Sequence, residues 1–287
     1  MTAGAGRASP RWPSAASTVV GVIGDPVRHS LSPLLHNAAF DALGLDWVSV
    51  AFTVGPGALA GALDAMRGLG VRGLSVTMPH KHEAATLVDT LTPTAQRLGV
   101  VNCITSESGR LVGDATDGPG FVAALERGTG FTVGGRSCVV VGAGGAGRAV
   151  VLALADAGAA EVVVVNRSAA RGAEAAALAG SKGRAGVAAD IAAADLVVQA
   201  TPVGMEGAGS EGQLVFDSGL LHDGQLVADL VYHPPVTALL AAADRRGART
   251  FGGIGMLVHQ AALALENWTG RPAPVEAMWR AVTDGPG

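Results

Sequence analysis

Cysteine is scarce: Cys103 and Cys138 are the only two among 287 residues, and each sits inside an apolar, strand-like run. A free thiol in such a place behaves as a small hydrophobe, so a disulfide-stapled scaffold is excluded and a reducing, cytoplasmic compartment is expected. Charge is scarce too. Charged residues make up 15% of the chain, against roughly 25% in average soluble proteins, while apolar residues reach 49%; wholesale disorder is excluded and most of the chain should be buried. There is no positive excess, the formal net charge being -4 and the pI about 6.0, so the chain lacks the means to displace counterions from nucleic acid. No nucleic-acid partner is expected. The most apolar stretch, residues 138–157, is interrupted by glycines and by Arg148, which excludes a membrane span there. Residues 1–17 carry Arg7 and Arg11 without an apolar segment and read as a disordered tail, not a signal peptide.

Glycine, by contrast, is abundant, at 42 residues about twice its usual share of roughly 7%, and no Gly-X-Y period accompanies it. Tight turns and close backbone approaches are implied, and collagen is excluded. After the tail, β-branched runs alternate with Ala/Leu-rich segments: TVVGVIG, a helix from Pro33, WVSVAFT, a helix from Pro56, VRGLSVTM and a helix from Pro79. This alternation predicts a mostly parallel sheet with helices on both faces, each proline standing at a first helical position. Ser32, just before Pro33, is a candidate N-cap. Strands VNCIT and RLVGD follow, and TDGPG then marks a boundary.

From Phe131 a second alternating series begins: SCVVVG, an Ala-rich helix, EVVVVN, another helix, DLVVQA, QLVADLV and RTF. It predicts a separate doubly wound, Rossmann-type unit. The last segment, from Gly255 to Val282, reads as helical and able to pack back on the first unit. The expected fold is therefore α/β in two domains, with 18–118 plus 253–283 forming one and 119–252 the other.

The string VVVGAGGAGRAV places Gly142, Gly144 and Gly147 as GxGxxG between a strand and a helix, with Ala143, Gly145 and Ala146 filling the loop. The first glycine permits the tight turn, the second lets the backbone approach a pyrophosphate, and the third allows close helix packing. A strand before the loop and EVVVVN about twenty residues on supply the context that the motif needs. An NAD site would carry Asp or Glu at the end of that second strand, but here stand Asn166, Arg167 and Ser168, with Arg171 one helical turn on. A guanidinium pairs with a 2′-phosphate where a carboxylate would repel it, so NADP(H) is the expected cofactor. The plainer alternative is a solvated helix start, although positive charge there opposes the helix dipole.

Lysine occurs only twice, at Lys81 and Lys182, beside 18 arginines. A chain that uses arginine for nearly every cationic position keeps lysine where a proton must be exchanged, which arginine cannot do near neutrality. Lys182 lies in the loop-like GSKGRAG and reads as solvated. Lys81 lies in SVTMPHKH, directly after a strand and at the mouth of a parallel sheet, where ligands bind. His80 and His82 flank it, but an HxH pair with no third ligand nearby does not make a metal site, so none is expected. Ser30 and Ser32 in HSLSP either bind a carboxylate or cap a helix; Asp117 in GDATDG is by itself an ordinary turn residue.

Taken together, the blocks GDPVRHSLSPLLHN, SVTMPHK, GVVNCI, GDATDG, GAGGAGRA, NRSAAR, ATPVGM, DLVYHPPVT and GMLVHQAALALENW, running from Gly24 to Trp268, resemble the shikimate dehydrogenase family. The resemblance implies reversible hydride transfer between NADPH and 3-dehydroshikimate in aromatic amino-acid biosynthesis. It implies that Ser30 and Ser32 bind the substrate carboxylate, that Lys81 and Asp117 form the catalytic dyad, and that Thr77, Asn102, Tyr232 and Gln260 bond the ring hydroxyls. It also implies that Thr201, Pro202, Val203 and Met205 line the nicotinamide, with Gly253 on the cofactor side. Two positions depart from the usual pattern: Ser75 stands where the family has Asn, and Ala115 where it reads GDNTDG. Ser75 can still donate a hydrogen bond at shorter reach and is kept among the substrate residues, whereas Ala115 cannot, so an altered ring-substituent preference is expected. Rival readings are a quinate or aminoshikimate dehydrogenase of the same family and a non-catalytic NADP sensor. A monomer or homodimer is expected.

Overall fold

The structure, a computed structural model, describes residues 13–284, so the first twelve residues of the expected tail lie outside the described residues. Two six-stranded sheets organise the chain. In the first, β1 (Thr18–Gly24) runs parallel to β2 (Trp47–Thr53) on one side and to β3 (Gly73–Val76) on the other. The next neighbour, β5 (Cys103–Glu107), is antiparallel to β3 and to β6 (Arg110–Asp114), and β4 (Thr90–Leu91) closes that edge. VNCIT and RLVGD must pair antiparallel because only Ser108 and Gly109 join them, and both have positive φ, as a two-residue hairpin turn requires.

Helices α1 (Ser32–Leu43), α2 (Leu59–Gly68), α3 (Lys81–Leu87) and α4 (Pro93–Leu98) fill the connections. Of the three expected proline starts only Pro33 stands in a first helical turn. Pro56 occupies the second position of a turn closed by Ala58 N to Gly55 O (3.1 Å), and Pro79 lies in a turn closed by His80 N to Thr77 O (3.0 Å); their helices begin two or three residues later. Proline's fixed φ suits these turns as well as it suits a helix start. Ser32 is not the N-cap of α1 either: Leu31 holds that position with no side-chain bond.

The second sheet is entirely parallel, in the order β12-β11-β10-β7-β8-β9. From central β7 (Ser137–Val141) the chain steps through β8 (Glu161–Val165) to β9 (Gly183–Gly186), then returns to β10 (Leu196–Gln199), β11 (Leu226–Asp229) and β12 (Arg249–Phe251) on the other side. This reversal opens a crevice at the carboxyl ends of β7 and β10, the place where doubly wound sheets bind ligands. Strand β9 falls in the stretch read as a loop, and Lys182 is not simply solvated, since its Nζ donates to Ala155 O (3.1 Å) at the end of α6 (Gly145–Asp156).

Two helices tie the sheets together. Helix α5 (Asp117–Thr129) leaves the first, and α9 (Ile254–Thr269) returns to it, followed by α10 (Val275–Thr283). They cross so closely that a Cβ at Gly120 would lie 2.6 Å from Gln260 N, while one at Gly118 would lie 2.4 Å from Ala149 O in α6. Trp268 of α9 is 1% exposed and shares a core with Leu35 and Phe40 of α1 and with Met278 of α10. Its indole lies over Gly73, where a Cβ would be 2.3 Å away, and Nε1 donates to Ile104 O (3.0 Å). On the outer edge of the first sheet, the Asn37 side chain of α1 occupies Ser49, accepting from its N (2.8 Å) and donating to its O (3.0 Å), so that part of the edge is closed to another strand.

Candidate active site

The ends of β1 and β3, the start of α1, and the facing segments of α9 and the second sheet enclose a cleft of about 230 Å3. Strand β3 ends at Val76, a turn follows, and α3 opens with Lys81, so the only lysine in this unit is delivered to the cleft by a strand-turn-helix junction. Opposite, Asp117 is the first residue of α5, where its charge is favoured by the helix dipole. Lys81 Nζ donates to Asp117 Oδ2 at 2.6 Å, with the two side chains 30% and 15% exposed. A charge-assisted bond this short, half-shielded from water, holds the ammonium in one place while leaving it open to the cleft.

Asp117 is itself fixed. Asn102, just before β5 and 3% exposed, donates through Nδ2 to Asp117 Oδ1 (3.1 Å) and to Thr116 Oγ1 (2.9 Å), and its Oδ1 accepts from Thr116 N (2.6 Å). Thr116 Oγ1 donates to Gln260 O (3.1 Å), which links the dyad to α9. Thr116 escaped the sequence reading because a buried threonine before an aspartate has no pattern of its own.

Of the residues named from sequence, Ser30, Ser32, Ser75, Thr77, Asn102, Tyr232 and Gln260 all line this cleft together with Lys81 and Asp117, as do Ala146 and Gly253 from the cofactor group. Ser30 Oγ accepts from Ser32 N (3.3 Å), whereas the Ser32 hydroxyl makes no cap and remains available. The Ser75 hydroxyl is buried and has no partner among the described residues. An unmet buried hydroxyl on a cleft wall favours a ligand that supplies one. Ala115 does not line the cleft; it is 2% exposed in the core of the first unit beside Val76 and Val101, so its departure from the family pattern concerns packing and not ring recognition. Sequence reasoning also missed His29, Leu230 and Leu257 on the cleft wall; only the adjacency of His29 to Ser30 signalled any of them.

Burial pushes the Tyr232 hydroxyl above its ordinary pKa, so it stays protonated and able to donate. His80 and His82 are turned away: His80 Nε2 meets Val54 O (2.6 Å) and His82 Nδ1 meets Gly99 O (3.1 Å). Among the described residues no three His, Cys, Asp or Glu side chains form a group that could hold a metal.

The glycine loop lies at the crevice between β7 and β10. Gly142 has φ 111°, and a Cβ there would lie 2.8 Å from the Thr201 methyl; at Gly147 it would lie 2.2 Å from Gly142 O. Gly144 and Gly145 are exposed, a Cβ on either meets nothing within 4 Å, and no side chain caps α6. The first turn thus presents free N–H donors to an anion. Asn166 supports the loop by accepting from Ala143 N (3.2 Å), and Ser168 caps α7 (Ala169–Ala176). Arg167 and Arg171 are exposed at the start of α7, and neither forms an ion pair among the described residues. Thr201, Pro202, Val203 and Met205 follow β10 at the same crevice but, like the glycine-loop residues other than Ala146, do not line the cleft around Lys81. A dinucleotide fits these residues: a glycine cradle, open donors and, in place of a carboxylate, two unpaired guanidiniums.

Residues 22–104 match the shikimate dehydrogenase substrate binding domain, 126–205 match shikimate / quinate 5-dehydrogenase, and 253–283 match the shikimate 5'-dehydrogenase C-terminal domain. The shikimate dehydrogenase (NADP(+)) of Moorella thermoacetica is 45% identical over 283 residues, covering 95% of this chain and 95% of its own. The chain belongs to the shikimate dehydrogenase family. Within it, the crystal structure of the Thermus thermophilus shikimate 5-dehydrogenase in complex with NADP(H) and shikimate is 38% identical, with a TM-score of 0.86 over 93% of this chain and 99% of that one. The quinate dehydrogenase of Corynebacterium glutamicum in complex with NAD is 33% identical, with a TM-score of 0.86 over 94% and 99%.

Proposed function

We propose that the chain catalyses the reversible, NADP-dependent interconversion of 3-dehydroshikimate and shikimate. The observation that carries this reading is the Lys81–Asp117 pair, 2.6 Å apart, in a cleft that also holds Ser30, Ser32 and the unmet Ser75 hydroxyl. When bound, the dinucleotide supplies or receives the hydride. Its pyrophosphate would rest on the Gly142–Gly147 loop, its 2′-phosphate would meet Arg167 and Arg171, and Thr201–Met205 would flank the nicotinamide.

Ser30 and Ser32 bind the substrate carboxylate through their hydroxyls, while Ser75, Thr77, Asn102, Tyr232 and Gln260 hold the ring hydroxyls. As charge develops on the carbonyl oxygen, Lys81 as ammonium stabilises it and delivers a proton from Nζ. Asp117 keeps the Lys81 side chain aimed at the cleft, and Asn102 keeps Asp117 from turning. In the other direction neutral Lys81 takes the hydroxyl proton. All these groups come from one chain, so the cleft is chemically complete in a monomer, and a monomer or homodimer fits the reading.

We assign 18–118 with 253–283 to the substrate unit and 119–252 to the dinucleotide unit. The assignment is supported by the packing of α9 and α10 into one core with α1 and by the confinement of the second sheet to residues 137–251. Among the described residues no helix is long and apolar enough to cross a membrane, and Cys103 and Cys138 are buried free thiols, in keeping with a reducing cytoplasm. The deciding assay follows NADPH oxidation with 3-dehydroshikimate, alongside oxidation of shikimate, quinate and aminoshikimate with NADP and NAD. Turnover of quinate with NAD at equal or better kcat/KM would favour the quinate reading. NADPH binding without turnover of any of these would favour a sensor.

A further inference from the structure

Strands β10 and β11 end side by side on Gln199 and Asp229, which are in register across the parallel ladder and are each 1% exposed. Gln199 does not point at solvent or at the cleft. Its Oε1 accepts from Thr201 N, and its Nε2 donates to Thr201 O (3.0 Å), Val203 O (3.0 Å) and Asp229 Oδ1 (3.3 Å). Asp229 Oδ1 also accepts from Val231 N (3.0 Å), and its Oδ2 accepts from Thr237 Oγ1 (2.7 Å), the residue that caps α8 (Ala238–Arg245) through Leu240 N (3.2 Å). This carboxylate has no cationic partner within 4 Å among the described residues, and burial raises its pKa. A buried anion held only by neutral donors is costly for a fold to keep as packing alone.

Its two ends matter. One is the turn that carries Thr201 and Val203 at the crevice; the other is the segment whose Leu230 and Tyr232 line the cleft. We infer that Gln199 and Asp229 act as one positioning unit, locking the 201–203 turn to the 230–232 segment so that the dinucleotide side and the substrate side of the site are set in a single register. The inference deepens the proposed function and uses its assignment of the two sides. Neither residue touches the reacting atoms; both act through the backbone they hold.

Two isosteric variants test it. Gln199→Glu keeps the acceptor for Thr201 N but loses the Nε2 donor and sets oxygen against oxygen at Thr201, Val203 and Asp229; Asp229→Asn weakens the same link from the other side. In ligand-free protein, each is expected to speed amide hydrogen exchange by about 10-fold or more at Thr201, Val203 and Val231 together. In turnover, each should raise KM for NADP and for shikimate in parallel. Exchange that rises on one side only, or a lower melting temperature with both KM values unchanged, overturns the inference. Should Gln199→Glu fail to fold, Thr237→Val, with Thr237→Ser as its conservative partner, reads the coupling from the far end. Faster exchange at Thr201 in the valine variant alone supports it, and change confined to Val231 and the first turn of α8 refutes it. The exchange measurement needs no substrate, so absence of shikimate turnover in the wild type would sink the functional reading without touching this one.

Discussion

Acid should unfold this protein through one residue of α1, His36. Its ring is fully buried, Nδ1 meets Ser49 Oγ at 3.0 Å, Nε2 has no partner among the described residues, and Trp268 packs against it edge-on with centroids 4.8 Å apart. Burial lowers its pKa from 6.5 to about 3, because the imidazolium would have no water and no carboxylate to face. The unfolded chain therefore binds a proton between these values that the folded chain refuses, and stability present above pH 6.5 is lost as pH falls toward 3. Each pH unit in that window costs about 1.4 kcal/mol, so about 2 kcal/mol should be gone at pH 5, a large share of a net stability on the order of 5–15 kcal/mol. The assay is urea unfolding at pH 7 and pH 5 for the wild type and for His36→Phe, which keeps the ring packing and cannot titrate. His259, whose pKa burial also lowers, is present in both proteins and drops out of the difference. The phenylalanine variant should lose about 2 kcal/mol less between the two pH values. An equal loss in both proteins would mean that His36 accepts its proton without cost, and the burial argument would fail.

Three further outcomes are expected. Lys81→Ala should lower kcat by about 10² to 10⁴ with NADPH affinity nearly unchanged; Lys81→Arg keeps the charge but gives up no proton near neutrality, and if it retained most of the wild-type kcat, proton transfer by Lys81 would have to be abandoned. Since His80 and His82 face away from the cleft, a bound water would then be the donor to seek. Preference for NADP over NAD should exceed about 10-fold, or about 1.4 kcal/mol, and should shrink in Arg167→Ala; equal kcat/KM with the two dinucleotides in the unmutated enzyme contradicts the reading. Ser30→Ala combined with Ser32→Ala should raise KM for shikimate more than it lowers kcat, and an unchanged KM would leave the serines a purely local role in the turn before α1.

The doubly wound unit was legible because its signals are local: β-branched runs for β7, β8, β10 and β11, and a glycine loop whose spacing is set by the turn it makes. Strand β9 was not, since GRAG at a sheet edge has neither alternation nor β-branched residues, and it is its neighbours that make it a strand. Proline told of a local φ at residues 56 and 79 without telling whether a turn or a helix would use it. In the cleft, Lys81 stood out by the rarity of lysine, and Ser30 and Ser32 by their place before a helix. Ser75 and Ala115 both stood out as departures from a family pattern, and Ala115 drew the doubt about ring preference because it cannot hydrogen-bond; only the fold shows that Ser75 is on the cleft wall and Ala115 in the core. Thr116, Gln199 and Asp229 stayed hidden because their roles depend on partners up to 144 residues away or on strand pairing across the sheet.

The contact between Gly120 and Gln260 bears on how such proteins can be recombined. A chimaera that kept this substrate unit and borrowed a dinucleotide unit from a relative would place its two crossovers somewhere near residues 117–129 and 253–269. Because the backbones touch there, and because Gly118 meets Ala149 of α6 just as tightly, helices α5, α6 and α9 form a three-part joint with no room for a side chain at Gly118 or Gly120. Crossovers should therefore fall beyond this joint, after α6 on the outward path and before Gly253 on the return, so that all three helices come from one parent. A graft that splits them would import a larger residue into a space with no room for a methyl group, and would misplace Asp117 and Gln260 together, since each is carried on one of those helices.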